Sequence, residues 1–385
     1  MSTLHDTLRR YVDDGAVPGA VGLVAHGTDV EAVAVGSVDT GGGSPMARDS
    51  IFRVASVTKP ITAAAVLALV EDGTLALDAP VAEWLPELGG PVVVRTPQSP
   101  LDDIVPAARP VTVEDLLTFK AGWGFPADFS LPAARALLDL HRNGLAPHLQ
   151  PDQDVWLARL ARVPMLRQPG EAWLYNTGSD LQGILVARAS GRTFPDFLAE
   201  RVLGPLGMTD TAFEVPEAKR TRFTTSYTPD GKGGLDRLDT PDGGWSSPPA
   251  FASGAGGLVS TADDLLAFGR MLLADGAAPD GGRVLSPASV RRMTTDHLTA
   301  AQRDASALFL EGQGWGYGGS VDVSPVAPWN VPGRYGWVGG SGTAAHVIPA
   351  TATVTVLLTQ VAMTGPTPPP LMRAFWTATL GERRG

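Results

Sequence analysis

Phe52-Arg-Val-Ala-Ser-Val-Thr-Lys-Pro-Ile-Thr62, running on through Ala63 to Gly73, is the stretch on which the reading of this chain turns. Ile61, Ala64, Val66, Leu67, Leu69 and Val70 fall on more than one side of a helix. They predict a buried helix over Thr58 to Asp72, ended by Gly73. Ser56 stands at its N-terminus and Lys59 lies three residues on. Residues i and i+3 share a helical face, so hydroxyl and amine come within reach. A serine hydroxyl is a poor nucleophile until a base takes its proton. A lysine buried at a helix N-terminus near other positive charge has a depressed pKa and can be that base. The free N–H groups of the same helix end suit a developing oxyanion. With 20 serines and four lysines, about 0.2 Ser-x-x-Lys matches are expected by chance, and this is the sole one. The bland alternative is an N-cap serine with a solvated lysine. Against it, the lysine precedes Pro60 and an apolar helix, an odd place for an idle surface charge.

Upstream of this stretch, Leu4, Leu8 and Tyr11 recur at helical spacing. Gly19 to Val38 reads as a β-hairpin around the Gly27-Thr28-Asp29 turn. Downstream, Leu75 to about Ala250 is mostly helices and long loops, with helical pieces at 113–118, 154–162, 179–190 and 194–203. Residues 224–249 are polar, Gly-rich and Pro-rich, and read as a surface excursion. A capped helix follows over 260–274. Then come strands at 314–323, 334–338, 343–348 and 353–359 and a last helix over 371–380. Strands at both ends with helices between imply an α+β fold. One antiparallel sheet built from both termini is flanked by the N- and C-terminal helices. The division expected is a discontinuous α/β unit, residues 1–75 and 254–385, with a mostly helical unit, 76–253, inserted.

The bulk properties exclude several classes. The 385 residues carry 44% hydrophobic and 18% charged side chains, an ordinary globular composition. A net charge of −10 argues against a nucleic-acid or anionic-membrane partner. Without cysteine there is no disulfide, thiolate nucleophile or Cys-ligated metal. The first residues lack an apolar signal region, and the longest apolar run, Ile61 to Val70, is too short to span a bilayer, so a cytoplasmic setting is expected. Oligomeric state is not legible.

The segment Phe52 to Thr62 resembles the nucleophile segment of the β-lactamase/penicillin-binding-protein superfamily, closest to its class C-like branch and the related family VIII-type serine esterases. Supporting pieces are Val113-Glu-Asp-Leu-Leu-Thr-Phe-Lys-Ala-Gly, Gln168-Pro-Gly-Glu, Gly204-Pro-Leu-Gly-Met-Thr-Asp-Thr and Ser253-Gly-Ala-Gly-Gly-Leu-Val-Ser-Thr, in the family's order. The resemblance implies a serine β-lactamase-like fold. It also implies that Tyr175, in Tyr175-Asn176-Thr177, shares the base role and protonates the leaving group. Its phenol would need a lowered pKa, with Lys59 supplying the positive charge. The alternative is a tyrosine packed under a loop. Whether Asn176 or Thr177 is the polar third member stays open. The family's late-strand Lys-Thr-Gly matches Trp337-Val338-Gly339 here, so the lysine that holds a substrate carboxylate is replaced by tryptophan. The resemblance assigns Gly340 N–H, beside that of Ser56, to the oxyanion hole, and Trp337, Gly339 and Asn176 to substrate contact. Trp337 could equally be a packed sheet residue. Trp123 and Phe125, in an aromatic loop, are candidates to line an acyl pocket, or simple packing.

Other chemistries fit less well. There is no Gly-x-Ser-x-Gly elbow. Histidines 5, 26, 141, 148, 297 and 346 make no metal pattern, and each reads as surface or core. Gly340-Ser-Gly-Thr-Ala-Ala345 leads into a strand and so is no dinucleotide fingerprint. The expectation is a serine hydrolase forming an acyl-enzyme on Ser56, first a carboxylesterase, on a small-molecule ester or amide, with no metal or organic cofactor. The alternatives are a β-lactamase or D-amino-acid peptidase or amidase, a biosynthetic acyltransferase, and a binding module with a relic site.

Overall fold

The computed structural model describes residues 3–142, 146 and 149–381. Its centre is a seven-stranded antiparallel sheet. The strands are β1 (Gly19–His26), β2 (Asp29–Gly36), β3 (Gly314–Trp315), β4 (Ser320–Val321), β5 (Tyr335–Gly339), β6 (Thr343–Ile348) and β7 (Thr353–Thr359). Their spatial order is β2-β1-β7-β6-β5-β4-β3. The last strand therefore enters between the N-terminal hairpin and the late strands. Ala20 pairs with Thr359 and His26 with Thr353.

Both faces of this sheet are covered, and the period of two in the strands sorts the side chains. Ala20, Val24 and Leu357 face helix α1 (Thr3–Asp13) and helix α5 (Pro370–Gly381), joining Leu4, Leu8, Met372 and Phe375. Val21, Leu23, Val354, Val356 and Leu358 face the main core with Ile61, Val66, Leu265 and Met271. That side carries α2 (Thr58–Glu71) and α4 (Ala262–Leu273). Thr261 caps α4 by accepting from Asp264 N. Within α2 every residue from Thr58 to Leu69 is buried, Lys59 included.

Two expectations need revision. The single strand anticipated at 314–323 is split into the hairpin β3–β4. Gly318 makes the turn at φ 74, against the main chain of α2, where a Cβ would lie 2.5 Å from Lys59 O. The polar stretch 224–249 is more than a surface excursion. Its strands Ser226–Pro229 and Leu235–Asp239 pair, and Asp239 and the carbonyls of Thr224 and Thr240 converge on the buried Arg53 guanidinium. Phe223 and Trp245 stack on that guanidinium.

Among the described residues, no helix is long and apolar enough to cross a membrane. His148 lies outside the described residues.

Candidate active site

Ser56 sits in a 3-10 turn, Ala55–Val57, that runs directly into α2. Ala55 holds a left-handed backbone, φ 43, at the entrance to that turn. The turn is tied to the sheet from the other side. Ser341 Oγ donates to Arg53 O at 2.5 Å, and Thr343 Oγ1 donates to Val54 O at 3.0 Å. Gly339 completes the contact, since a Cβ there would lie 2.3 Å from Val54 O. The end of β5 and the Ser56 turn therefore meet backbone to backbone, and Gly340 lines the same cavity as Ser56.

Lys59 is fully buried, and its Nζ meets three oxygens: Ser56 Oγ at 2.9 Å, Asn176 Oδ1 at 2.8 Å and Ala255 O at 2.6 Å. Burial pushes its pKa down to about 7, and Asp180 partly opposes the shift. Desolvation thus does what the sequence reading attributed in part to neighbouring positive charge. Ala255 O reaches the amine because Gly254 lets its segment lie against helix α3 (Thr177–Ser190). A Cβ at Gly254 would fall 2.3 Å from Ser179 O. Asn176 precedes α3 with φ 83, a conformation L side chains rarely adopt, and that turn aims its amide at Lys59. Asn176 contacts the amine, whereas Thr177 Oγ1 pairs with His141 Nε2 at 3.0 Å.

Tyr175 is held in place by paired backbone hydrogen bonds with Phe125, at 2.8 and 3.0 Å. Its ring lies in an aromatic wall of Phe119, Trp173, Phe309 and Trp337, with Lys59 Nζ 4.7 Å from the ring centre. Trp337 Nε1 donates to the phenol oxygen at 2.7 Å. The phenol was expected to have a lowered pKa. Instead burial pushes it up to about 12, although hydrogen bonds with Ser56 and Trp337 pull the other way. In the resting site Tyr175 is therefore a neutral phenol.

Ser56, Phe125, Tyr175, Asn176 and Gly340 line one cavity of about 330 Å³. Trp337 and Gly339 are not in its lining; Trp337 touches Tyr175, which is. Trp123 does not line it: the indole is buried in the main core and donates to Val163 O at 2.8 Å. The sequence reading missed His141 and Asp180, which also line the cavity. His141 Nδ1 lies 3.6 Å from Asp180 Oδ2, and burial, opposed by Asp180, holds the imidazole below its ordinary pKa. Asp180 also accepts from Ser253 Oγ at 2.6 Å and Ala255 N at 3.2 Å, fixing the carbonyl that meets Lys59. Neither residue sits in a short motif, so only the folded chain brings them to the site. Among the described residues, no group of three or more His, Asp or Glu side chains is arranged to hold a metal ion.

Comparison with known proteins agrees with this architecture. A family model described as Beta-lactamase matches residues 4–371. Protein Rv1367c of Mycobacterium tuberculosis is 40% identical over 363 residues, 92% of this chain and 88% of that protein. Esterase EstB of Burkholderia gladioli is 34% identical over 374 residues, 90% of this chain and 87% of EstB. The solved structure of EstCE1, described as a hydrolase with promiscuous acyltransferase activity, has a TM-score of 0.79 at 24% identity, over 98% of this chain and 97% of that one. The α+β, β-lactamase-like fold expected from the sequence is the fold observed, and the chain belongs to the beta-lactamase family.

Proposed function

We propose that the protein is a carboxylesterase that works through an acyl-enzyme on Ser56. The observation that carries this reading is the set of three oxygens around the buried Lys59 amine. Two of them, Asn176 Oδ1 and Ala255 O, are amide carbonyls and can only accept. A neutral amine keeps two N–H bonds for these carbonyls and turns its lone pair to the Ser56 hydroxyl. A pKa near 7 makes that neutral form abundant in mildly alkaline solution.

In this reading Ser56 Oγ attacks the ester carbonyl carbon, and its proton passes to Lys59 Nζ. The carbonyl oxygen, now an oxyanion, accepts from the N–H groups of Ser56 and Gly340. As the C–O bond to the leaving alkoxide breaks, Tyr175 gives the alkoxide its proton and regains one from Lys59. Water then attacks the acyl-Ser56 carbonyl, with the proton path run in reverse, releasing a carboxylic acid. The cavity would lie between two units, residues 1–75 with 254–385 on one side and 76–253 on the other.

Ester is favoured over β-lactam or peptide because of Trp337. The indole stands where the resemblance puts a carboxylate-binding lysine, and its N–H is committed to Tyr175. Among the described residues, the one Lys or Arg lining the cavity is Arg142, which is exposed and paired with Asp139 at 2.6 Å. The likeness to EstB points the same way. Acyl transfer to an alcohol would use the same acyl-enzyme. The test is parallel turnover of p-nitrophenyl acetate, nitrocefin and a D-alanyl anilide, with and without an added alcohol. The ester is expected to be turned over fastest and the Ser56→Ala variant to be inactive. Faster turnover of nitrocefin, or an active Ser56→Ala variant, would overturn the assignment.

A further inference from the structure

The His141 side chain, 7% exposed, stands behind the residue that faces the Lys59 amine. Its ring is held nearly edge-on between Phe125 and Trp156, with centroids 5.3 and 5.4 Å away. Both ring nitrogens meet the start of α3: Nε2 is 3.0 Å from Thr177 Oγ1, and Nδ1 is 3.4 Å from Asn176 Nδ2. The second contact fixes the tautomer. Asn176 faces Lys59 Nζ at 2.8 Å. A neutral amine there turns its lone pair to Ser56, and an ammonium has none, so in both forms Asn176 meets an N–H and must present its oxygen. The far end of the amide is then NH2, which can only donate. Nδ1 therefore accepts, and the ring proton sits on Nε2 and goes to Thr177 Oγ1. Asp180 Oδ2, at 3.6 Å from Nδ1, is too far for a good hydrogen bond. The charges acting on the ring are those of Asp180 and Lys59; burial outweighs the pull of Asp180 and keeps the imidazole neutral.

A side-chain amide has nearly the same shape when its oxygen and nitrogen trade places, so sterics alone do not hold Asn176 one way round. Turned by half a rotation, its NH2 would donate to the Lys59 lone pair and compete with the Ser56 hydroxyl for it. The ammonium form would lose an acceptor and meet a donor. An acceptor on the far side prevents this, because a turned amide would set its oxygen against the Nδ1 lone pair. We propose that His141 is a positioning residue for the Ser56 reaction, locking the Asn176 amide with its oxygen toward Lys59. The inference rests on the reading of Lys59 as the base of Ser56, and His141 acts through Asn176 alone.

The test compares His141→Phe with His141→Asn in the full chain, each checked for a cooperative melt. Phe keeps a ring without an acceptor, and Asn sets its Oδ1 about where Nδ1 stands. Both lose the bond to Thr177, so their difference reads the Nδ1 acceptor. The readouts are kcat/KM for p-nitrophenyl acetate and the titration of Lys59, followed by 13C NMR of the four lysines and assigned with Lys59→Met. His141→Phe is expected to lower kcat/KM about tenfold and to move the Lys59 midpoint down by about 0.5 pH or more. His141→Asn should stay within about threefold of the wild type, with the Lys59 midpoint unmoved. In an Asn176→Gly background, which accepts φ 83 without strain, His141→Phe should change neither readout further. Equal losses in the two His141 variants, a Lys59 midpoint unmoved by His141→Phe, or the full loss persisting in Asn176→Gly would overturn the proposal. If His141→Phe does not fold, the wild-type ring decides through long-range 1H–15N correlations at pH 8: a bare Nδ1 supports the proposal and a protonated Nδ1 overturns it. A protein that turns over no ester while its Lys59 midpoint responds as stated would refute the esterase reading and uphold this one.

Discussion

The indole N–H of Trp337 donates to the phenol oxygen of Tyr175 at 2.7 Å, linking the late strand β5 to the loop ahead of α3. This bond decides how the two residues are read together. The tryptophan is buried and packs edge-on against Trp315, so it is a sheet residue, as one sequence reading allowed. It is also the donor that fixes where the phenol points. Replacing it with Phe keeps most of the packing and removes the donor. A neutral hydrogen bond is worth about 1 kcal/mol. Trp337→Phe is therefore expected to lower kcat for p-nitrophenyl acetate by roughly five- to tenfold with little change in KM. A fall of less than twofold would mean the bond does not position Tyr175.

The pH profile tests Lys59. Its pKa of about 7 means the base form fills in as pH rises through neutrality. The value of kcat/KM should rise with pH, with its midpoint near 7, and Asp180→Asn should move that midpoint down, because Asp180 holds the proton on. A profile flat from pH 5.5 to 9 would remove Lys59 from the role of base.

Stability should follow the same group. In the unfolded chain Lys59 titrates near its ordinary 10.5, and in the folded chain near 7. Between these values the unfolded state binds more protons, so folding stability contributed by this site rises with pH across the window and is flat below it. Urea midpoints for the wild type and Lys59→Met, measured at pH 6 and pH 9, should show the variant's advantage shrinking as pH rises. An advantage that grows with pH would contradict the burial argument.

Arg53 offers a structural prediction. Its guanidinium donates to Asp239 Oδ2 and to the carbonyls of Thr224 and Thr240, between Phe223 and Trp245. Arg53→Met leaves Asp239 without its partner in a nearly buried place. The expected loss is about 3–5 kcal/mol in urea unfolding, the range for breaking one side of a buried pair. A loss under about 1 kcal/mol would mean the 224–249 segment is held by something else.

Much of the site was legible because it is local. Ser56 and Lys59 are one helical turn apart, and an all-apolar helix with a lysine at its start signals burial of that lysine. The sheet was legible from alternation and β-branched runs at 343–348 and 353–359. What stayed hidden depends on contacts across the chain. Trp123 and Phe125 are equivalent in sequence, yet Phe125 pairs with Tyr175 at the cavity while Trp123 turns to Val163 O in the core. His141 and Asp180 meet at the cavity from different segments. The phenol's raised pKa comes from the segments that the fold packs around this half-buried ring, which no motif encodes. The split of residues 314–323 came from a glycine fitting under the main chain of α2.

Every step proposed at the site passes through a covalent bond to one atom, Ser56 Oγ. The direct measurement is to mix the protein with p-nitrophenyl acetate, quench within the first turnover, digest and weigh the peptides. A burst of one p-nitrophenol per chain and an acetyl group on the peptide that holds Ser56 are expected, with neither in Ser56→Ala. An acyl group on another residue, or p-nitrophenol released without any acylated peptide in a single-turnover quench, would contradict it.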